Sequence, residues 1–216
     1  MKVTVTTDSE KEKKDRDEEL WNKDLIKAIS DEIKTEFPNA TIFKGKILKD
    51  IFLYKDEKLG YQLQFGFVDQ DIVIYEETMD ISDFKPVKNI FLHNNKDNRD
   101  NLVIPKIICE LKYNGITSHG LITYSNYASD IKSIFPECKY MLALRYKKSS
   151  SENKLFRHGK SFDKIIFLSD KSAKGSYSPG QFLVELKSDQ NLRERFIEFV
   201  EEIKSSLRIK KTHFVK

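Results

Sequence analysis

The chain has 216 residues, with 38 Lys and Arg against 34 Asp and Glu, a formal net charge of +4 that permits a nucleic-acid partner without requiring one. Its length suits a single domain over 1–216, and its 39% hydrophobic and 12% aromatic content is enough for a core, which excludes disorder throughout. There is no run of about 18 apolar residues to cross a membrane, and the N-terminus turns polar by Thr6, unlike a secretory signal.

Residues 8–19 are nearly all charged, with mixed signs, and read as a solvated N-terminal arm or the exposed start of a helix. Leu20, Trp21, Leu25, Ile29, Ile33 and Phe37 then recur at mostly four-residue steps, one apolar helical stripe, which Pro38-Asn39 stops. Two β-rich segments follow, Thr41–Tyr54 and Tyr61–Tyr75, with a turn over Lys55–Gly60. A polar stretch, Glu76–Asn101, precedes a third strand, Leu102–Tyr113, which the turn pair Asn114-Gly115 ends. Residues 117–135 carry a second helical pattern, closed by Pro136. Cys138–Tyr146 reads as a strand, Lys147–Asn153 as a loop and Phe162–Leu168 as another strand. After the loop Ala173–Gly180 comes a short strand or helix at Gln181–Leu186. A long helix, Asp189–Ile209, leads into a basic tail, so that 189–216 forms the C-terminal end of the domain. The order α-β-β-β-α-β, then β and α, predicts an α/β fold with a mixed central sheet flanked by helices.

Two cysteines, Cys109 and Cys138, are too few for a disulfide scaffold or a Cys-rich zinc site, and point to a reduced, cytoplasmic setting. His93, His119, His158 and His213 have no metal-ligand spacing, and the phosphate-loop, dinucleotide, nucleophile-elbow and HExxH motifs do not occur.

The chemistry concentrates in Ile107-Ile108-Cys109-Glu110-Leu111-Lys112-Tyr113. Burying an unpaired charge is expensive, so an apolar strand rarely holds Glu and Lys in its middle. Strand period puts Ile108, Glu110 and Lys112 on one face, where acid and base stand side by side. In the preceding strand Asp69 and Asp71 interrupt an apolar run and share a face by the same period. Where these strands are neighbours, Asp71 and Glu110 can converge. Two converging carboxylates oppose each other's ionisation unless a cation sits between them. Oxygen donors of that kind select Mg²⁺, and an adjacent Lys can position its activated water. The alternative is an edge strand carrying an ordinary Glu-Lys ion pair.

An Asp on one strand, a (D/E)xK on the next and the order αβββαβ together resemble the PD-(D/E)xK nuclease superfamily, with its restriction-endonuclease-like fold. The resemblance spans about two-thirds of the chain, although 39 residues separate Asp71 from Glu110. It implies that Asp71 and Glu110 bind Mg²⁺ with the backbone carbonyl of Leu111, and that Lys112 polarises the attacking water. The product ends would be a 5′-phosphate and a 3′-hydroxyl. Some members add a Glu from the first helix, and Glu32 is the candidate ahead of Glu36. Asp69 remains an alternative to Asp71, because a one-residue register shift exchanges the faces of a strand.

Phosphate contacts call for basic and polar side chains on loops and helix starts. The candidates for binding double-stranded DNA are Asn95 and Arg99 in the polar loop, Asn114, Ser118 and His119 around the start of the second helix, and Lys147 and Arg157 further on. The expected function is a Mg²⁺-dependent endonuclease of the type II restriction kind, acting as a homodimer. Such an enzyme brings a cognate methyltransferase into view as a partner, which the sequence itself leaves open. The alternatives are a structure-specific repair or recombination nuclease, and a non-catalytic domain that binds nucleic acid or protein.

Overall fold

A computed structural model describes residues 8–58, 60–80, 101–147, 151–172 and 175–209. The first helix, α1, runs over Asp8–Ile33. The charged segment 8–19 therefore forms the first half of this helix and is no separate arm. Trp21, Leu25, Ile29 and Ile33 are all fully buried, as a stripe repeating every four residues requires.

Strand β1 (Thr41–Asp56) and strand β2 (Gly60–Tyr75) form a long antiparallel hairpin, closed at Gly60, whose φ of 72° suits a residue without Cβ. A short pair follows, β3 (Glu77–Asp80) with β4 (Asn101–Ile104), as a separate two-stranded sheet. The third predicted strand is thus two strands, because Pro105, which lacks an N–H for a ladder, separates β4 from β5 (Ile107–Lys112). Helix α2 (Ser118–Ile134) is capped by the Thr117 hydroxyl, which accepts from the Gly120 N–H at 3.0 Å. Strand β6 (Lys139–Leu144), helix α3 (Glu152–His158) and strand β7 (Lys164–Phe167) come next. The start of α3 falls in the predicted Lys/Ser loop. Gln181–Leu186, left open between strand and helix, lies in helix α4 (Gln181–Ser188). Helix α5 (Gln190–Arg208) starts where the Asp189 carboxylate accepts the Leu192 N–H.

The main sheet has the order β1-β2-β5-β6-β7. β2 runs antiparallel to both of its neighbours, β1 and β5, whereas β5, β6 and β7 are parallel and connected through α2 and α3. The result is a mixed sheet in an α/β fold. One face, with Ile72, Ile74, Ile107, Cys109, Leu111 and Met141, is covered by α1, α4 and α5. The other, with Val73, Ile108 and Tyr140, receives Ala128 and Ile131 of α2. The N- and C-terminal halves are clasped at Asp24. Its carboxylate accepts the Tyr177 hydroxyl at 2.5 Å and the Gly180 N–H at 3.0 Å, and the Tyr177 oxygen accepts the Phe182 N–H at 2.9 Å. Among the described residues no helix is long and apolar enough to cross a membrane. Both cysteines are free and buried.

Candidate active site

β2 and β5 pair over only three rungs, Ile72–Ile74 against Ile107–Cys109. Beyond Cys109, β5 continues beside β6 as far as Lys112, but it has parted from β2. At the same point β2 bulges. Phe43 faces Val73 and Gly45 faces Gln70, so Asp71 and Ile72 together oppose Lys44. The bulge breaks strict alternation and turns Asp71 out of step with Asp69. Asp69 is exposed and opposes Lys46, while the Asp71 carboxylate enters the notch between β2 and β5. There Oδ2 accepts the Leu111 N–H at 2.9 Å, and Oδ1 accepts Asn22 Nδ2 of α1 at 3.2 Å with Lys44 Nζ at 3.4 Å.

Glu110 and Lys112 lie on one face of β5 as strand period requires, with Nζ and Oε1 2.9 Å apart. Glu110 is almost wholly buried. Burial raises its pKa, and the nearby Asp71 charge adds to this. Lys112 and the Tyr124 hydroxyl oppose the rise, which leaves the carboxyl at about 7. Burial works against the Lys112 charge, but Glu110, Glu18 and Asp71 outweigh it, and the ammonium is held charged well beyond its usual range. The Tyr124 ring of α2 lies 4.9 Å below Lys112 Nζ, a cation–π contact. Burial and the Glu110 charge push the Tyr124 hydroxyl up to about 12, so it stays protonated and donates to Glu110.

The helix glutamate at this site is Glu18. Its Oε1 takes Lys112 Nζ at 3.2 Å and its Oε2 accepts the Tyr113 N–H at 3.0 Å, where β5 ends. Glu32 is elsewhere. It is exposed and lines a cavity of about 430 Å³ between α1, α4 and α5, beside Lys27 and Arg193. Glu36 pairs with Arg208 of α5 at 2.7 Å. The flank of the apolar stripe that singled out Glu32 faces solvent. Stepped back from Leu25 and Trp21, the apolar stripe reaches Glu18 and Asp17 at spacings of seven and four, so both belong to the inward face. Asp17 is indeed buried.

Leu111 buries its side chain in the α1-side core and presents its N–H to Asp71. Of the DNA-binding candidates, Ser118 and His119 are exposed in the first turn of α2, one to two turns before Tyr124, and Asn114 is half-buried just after β5. Lys147 is tied to Glu152 at 2.7 Å and lies over the Phe167 ring. Arg157 is exposed in the last turn of α3. Asn95 and Arg99 lie outside the described residues.

Once Glu110 ionises, the group is unbalanced in charge. Three carboxylates, Asp71, Glu110 and Glu18, meet two ammonium groups, Lys112 and Lys44. Among the described residues no three His, Cys, Asp or Glu side chains form a preformed metal cage. Two carboxylates suit a small hard cation that keeps part of its water shell. A raised Glu110 fits the same view, since a cation beside it favours the ionised form.

No family model matches the chain, and no curated protein matches it. Among solved structures, the native BbvCI A2B2 tetramer is similar to it at 16% identity and a TM-score of 0.43, over 77% of this chain and 61% of the other. The chain thus spans about three-fifths of that neighbour's length. A score of that size leaves function to be read from the side chains.

Proposed function

We propose that this chain is a Mg²⁺-dependent DNA endonuclease with a restriction-endonuclease-like core. The observation that carries this is the pairing of buried Glu110 with half-buried Lys112 at the end of β5, beside an Asp71 that a bulge turns into the same notch. Buried charges are costly, and a purely structural strand end gains nothing from a net excess of carboxylate. Asp71 and Glu110 would hold the metal ion. When bound there, Mg²⁺ supplies Lewis acidity and a water of lowered pKa.

The chain's own groups have separate tasks. Lys112 keeps its proton and offers a fixed positive charge to the negative charge that builds on the phosphate. Glu18 and the Tyr124 ring hold the Lys112 chain from opposite sides of the sheet, which limits its rotamers before substrate arrives. Asn22 and the Leu111 N–H fix the two oxygens of Asp71. Exposed Ser118 and His119 at the start of α2 would meet backbone phosphates. The product would carry a 5′-phosphate, and a type II restriction role would add a homodimer on duplex DNA and a cognate methyltransferase.

The test is incubation with a broad panel of plasmid and phage DNA at low salt, with Mg²⁺ or with chelator, alongside Lys112→Ala. Discrete Mg²⁺-dependent fragments that the variant does not make are the expected result. Nicking that follows DNA structure instead of sequence would select the repair or recombination reading. No cleavage with Mg²⁺ or Mn²⁺ would leave a non-catalytic binding domain.

A further inference from the structure

The β1–β2 hairpin extends beyond the body of the protein. Its last apolar contacts inward are Leu48, Phe65 and Phe67, which pack with Leu102, Ile134 and Phe135. From Ile51 to Asp56 the two strands stay paired with each other for roughly 20 Å. This outer part is not polar. Ile51, Phe52, Leu53, Tyr54 and Tyr61 are all exposed, Leu53 by 68% and Tyr61 by 73%, and they are five of the ten exposed large hydrophobics among the described residues. Register puts Ile51, Leu53, Tyr61 and Phe65 on one face, and Phe52 and Tyr54 on the other. A two-stranded ribbon is marginal in water by itself, and one with apolar side chains on both faces is more so.

We propose that this hairpin is where a second copy of the chain docks. Two features of the patch choose that occupant. The first is charge. Between residues 49 and 58 the hairpin carries Lys49, Lys55 and Lys58 against Asp50, Asp56 and Glu57. A neutral surface does not neutralise phosphates, which disfavours nucleic acid, and it opposes no copy of itself. The second is area. The five side chains expose about 500 Å² of largely apolar surface over the two faces of the ribbon, so two copies that wrap both faces bury about 1,000 Å², the lower limit of a specific interface. β1 is also the outermost strand of the sheet, so nothing within the main sheet covers its free edge. The dimer follows from the nuclease reading, but the surface does not, and it stands on the hairpin alone.

Sedimentation of the full chain without DNA or metal tests this. The wild type is expected to be a dimer at tens of micromolar, and Leu53→Glu and Tyr61→Glu to be monomers with an unchanged far-UV spectrum. Both side chains are mostly exposed on one chain, so the far-UV spectrum reads whether the fold is kept. Leu53→Cys gives a second measurement. Cys109 and Cys138 are the only native cysteines and both are buried. Oxidised glutathione should therefore link two copies through Cys at 53 and leave the wild type unlinked. A monomeric wild type, or glutamate variants that remain dimers, overturns the proposal. A monomer that loses DNA binding with Tyr61→Glu overturns it in favour of a nucleic-acid arm. A dimer that never cleaves DNA would sink the nuclease reading and leave this one standing.

Discussion

Two aspartates in this sheet use the same local device at different places. Asp163, just before β7, accepts the Tyr140 N–H at 2.7 Å at the start of β6. Asp71, in the bulge of β2, accepts the Leu111 N–H at 2.9 Å near the end of β5. Each supplies a carboxylate where a strand's ladder needs an acceptor. At Asp163 the surrounding charge is Lys132 at 3.2 Å and Lys139 at 3.9 Å, two cations for one anion. At Asp71 the neighbourhood adds Glu110 and Glu18 against Lys112 and Lys44, and the balance turns negative once Glu110 ionises. The backbone bond is thus common to both, and what separates strand closure from a candidate site is the uncompensated charge around it.

The strongest way to break this comparison is by substitution. Asp71→Asn, Glu110→Gln and Lys112→Ala should each lower single-turnover cleavage by about 10²-fold or more, the size expected when one charge acting on the transition state is removed. Asp163→Asn should leave the rate within about twofold. A comparable loss at Asp163 would reduce both sites to stability alone.

Metal should sharpen it next. Mg²⁺ should raise the melting temperature of the wild type, because a ligand of the folded state stabilises it. Glu110→Gln should remove that rise, and Asp163→Asn should keep it. Without metal, Glu110→Gln should melt higher than the wild type, since it relieves a buried carboxylate.

The pH dependence has a definite sign. Glu110 holds its proton up to about 7 in the folded chain, against 4.5 as the ordinary value. Between those values the folded state binds more protons than the unfolded state, so this group makes stability fall as pH rises from about 4.5 to about 7, and level off above. Mg²⁺ needs the ionised form, so cleavage should rise over the upper part of the same window. Urea unfolding and cleavage rates measured from about pH 5 to about pH 8 should move in opposite directions. The smallest effect is expected on α1. Glu18→Gln should cost roughly tenfold in rate by loosening Lys112, while Glu32→Gln should change nothing.

Much of this was legible in the sequence, for physical reasons. The stripe of α1, the hairpin strands, α2 and α5 follow from periods that burial enforces. Glu110 and Lys112 stood out because charges in an apolar strand are costly. The choice between Asp69 and Asp71 was not legible, because it depends on a bulge, and no local residue pattern announces that one extra residue of β2 faces Lys44. Glu18 was hidden for another reason: dense mixed charge masks the inward face of a helix, although the spacing back from Leu25 reached it. Pro105 carries its own signal, since a proline inside an apparent strand marks its break. The register of α3 had no signal beyond Leu155, its one buried residue.

The clasp at Asp24 bears on when the site can exist. α1 is made first, yet it rests on partners made much later: Tyr177 and Gly180 hold Asp24, and Arg208 holds Glu36 across a separation of 172 residues. Until α4 and α5 have left the ribosome, α1 has nothing to lie against on its outer side, and Glu18 has no fixed position from which to hold Lys112. A chain made only as far as α2 would then carry Asp71, Glu110 and Lys112 and still lack the contact that fixes Lys112.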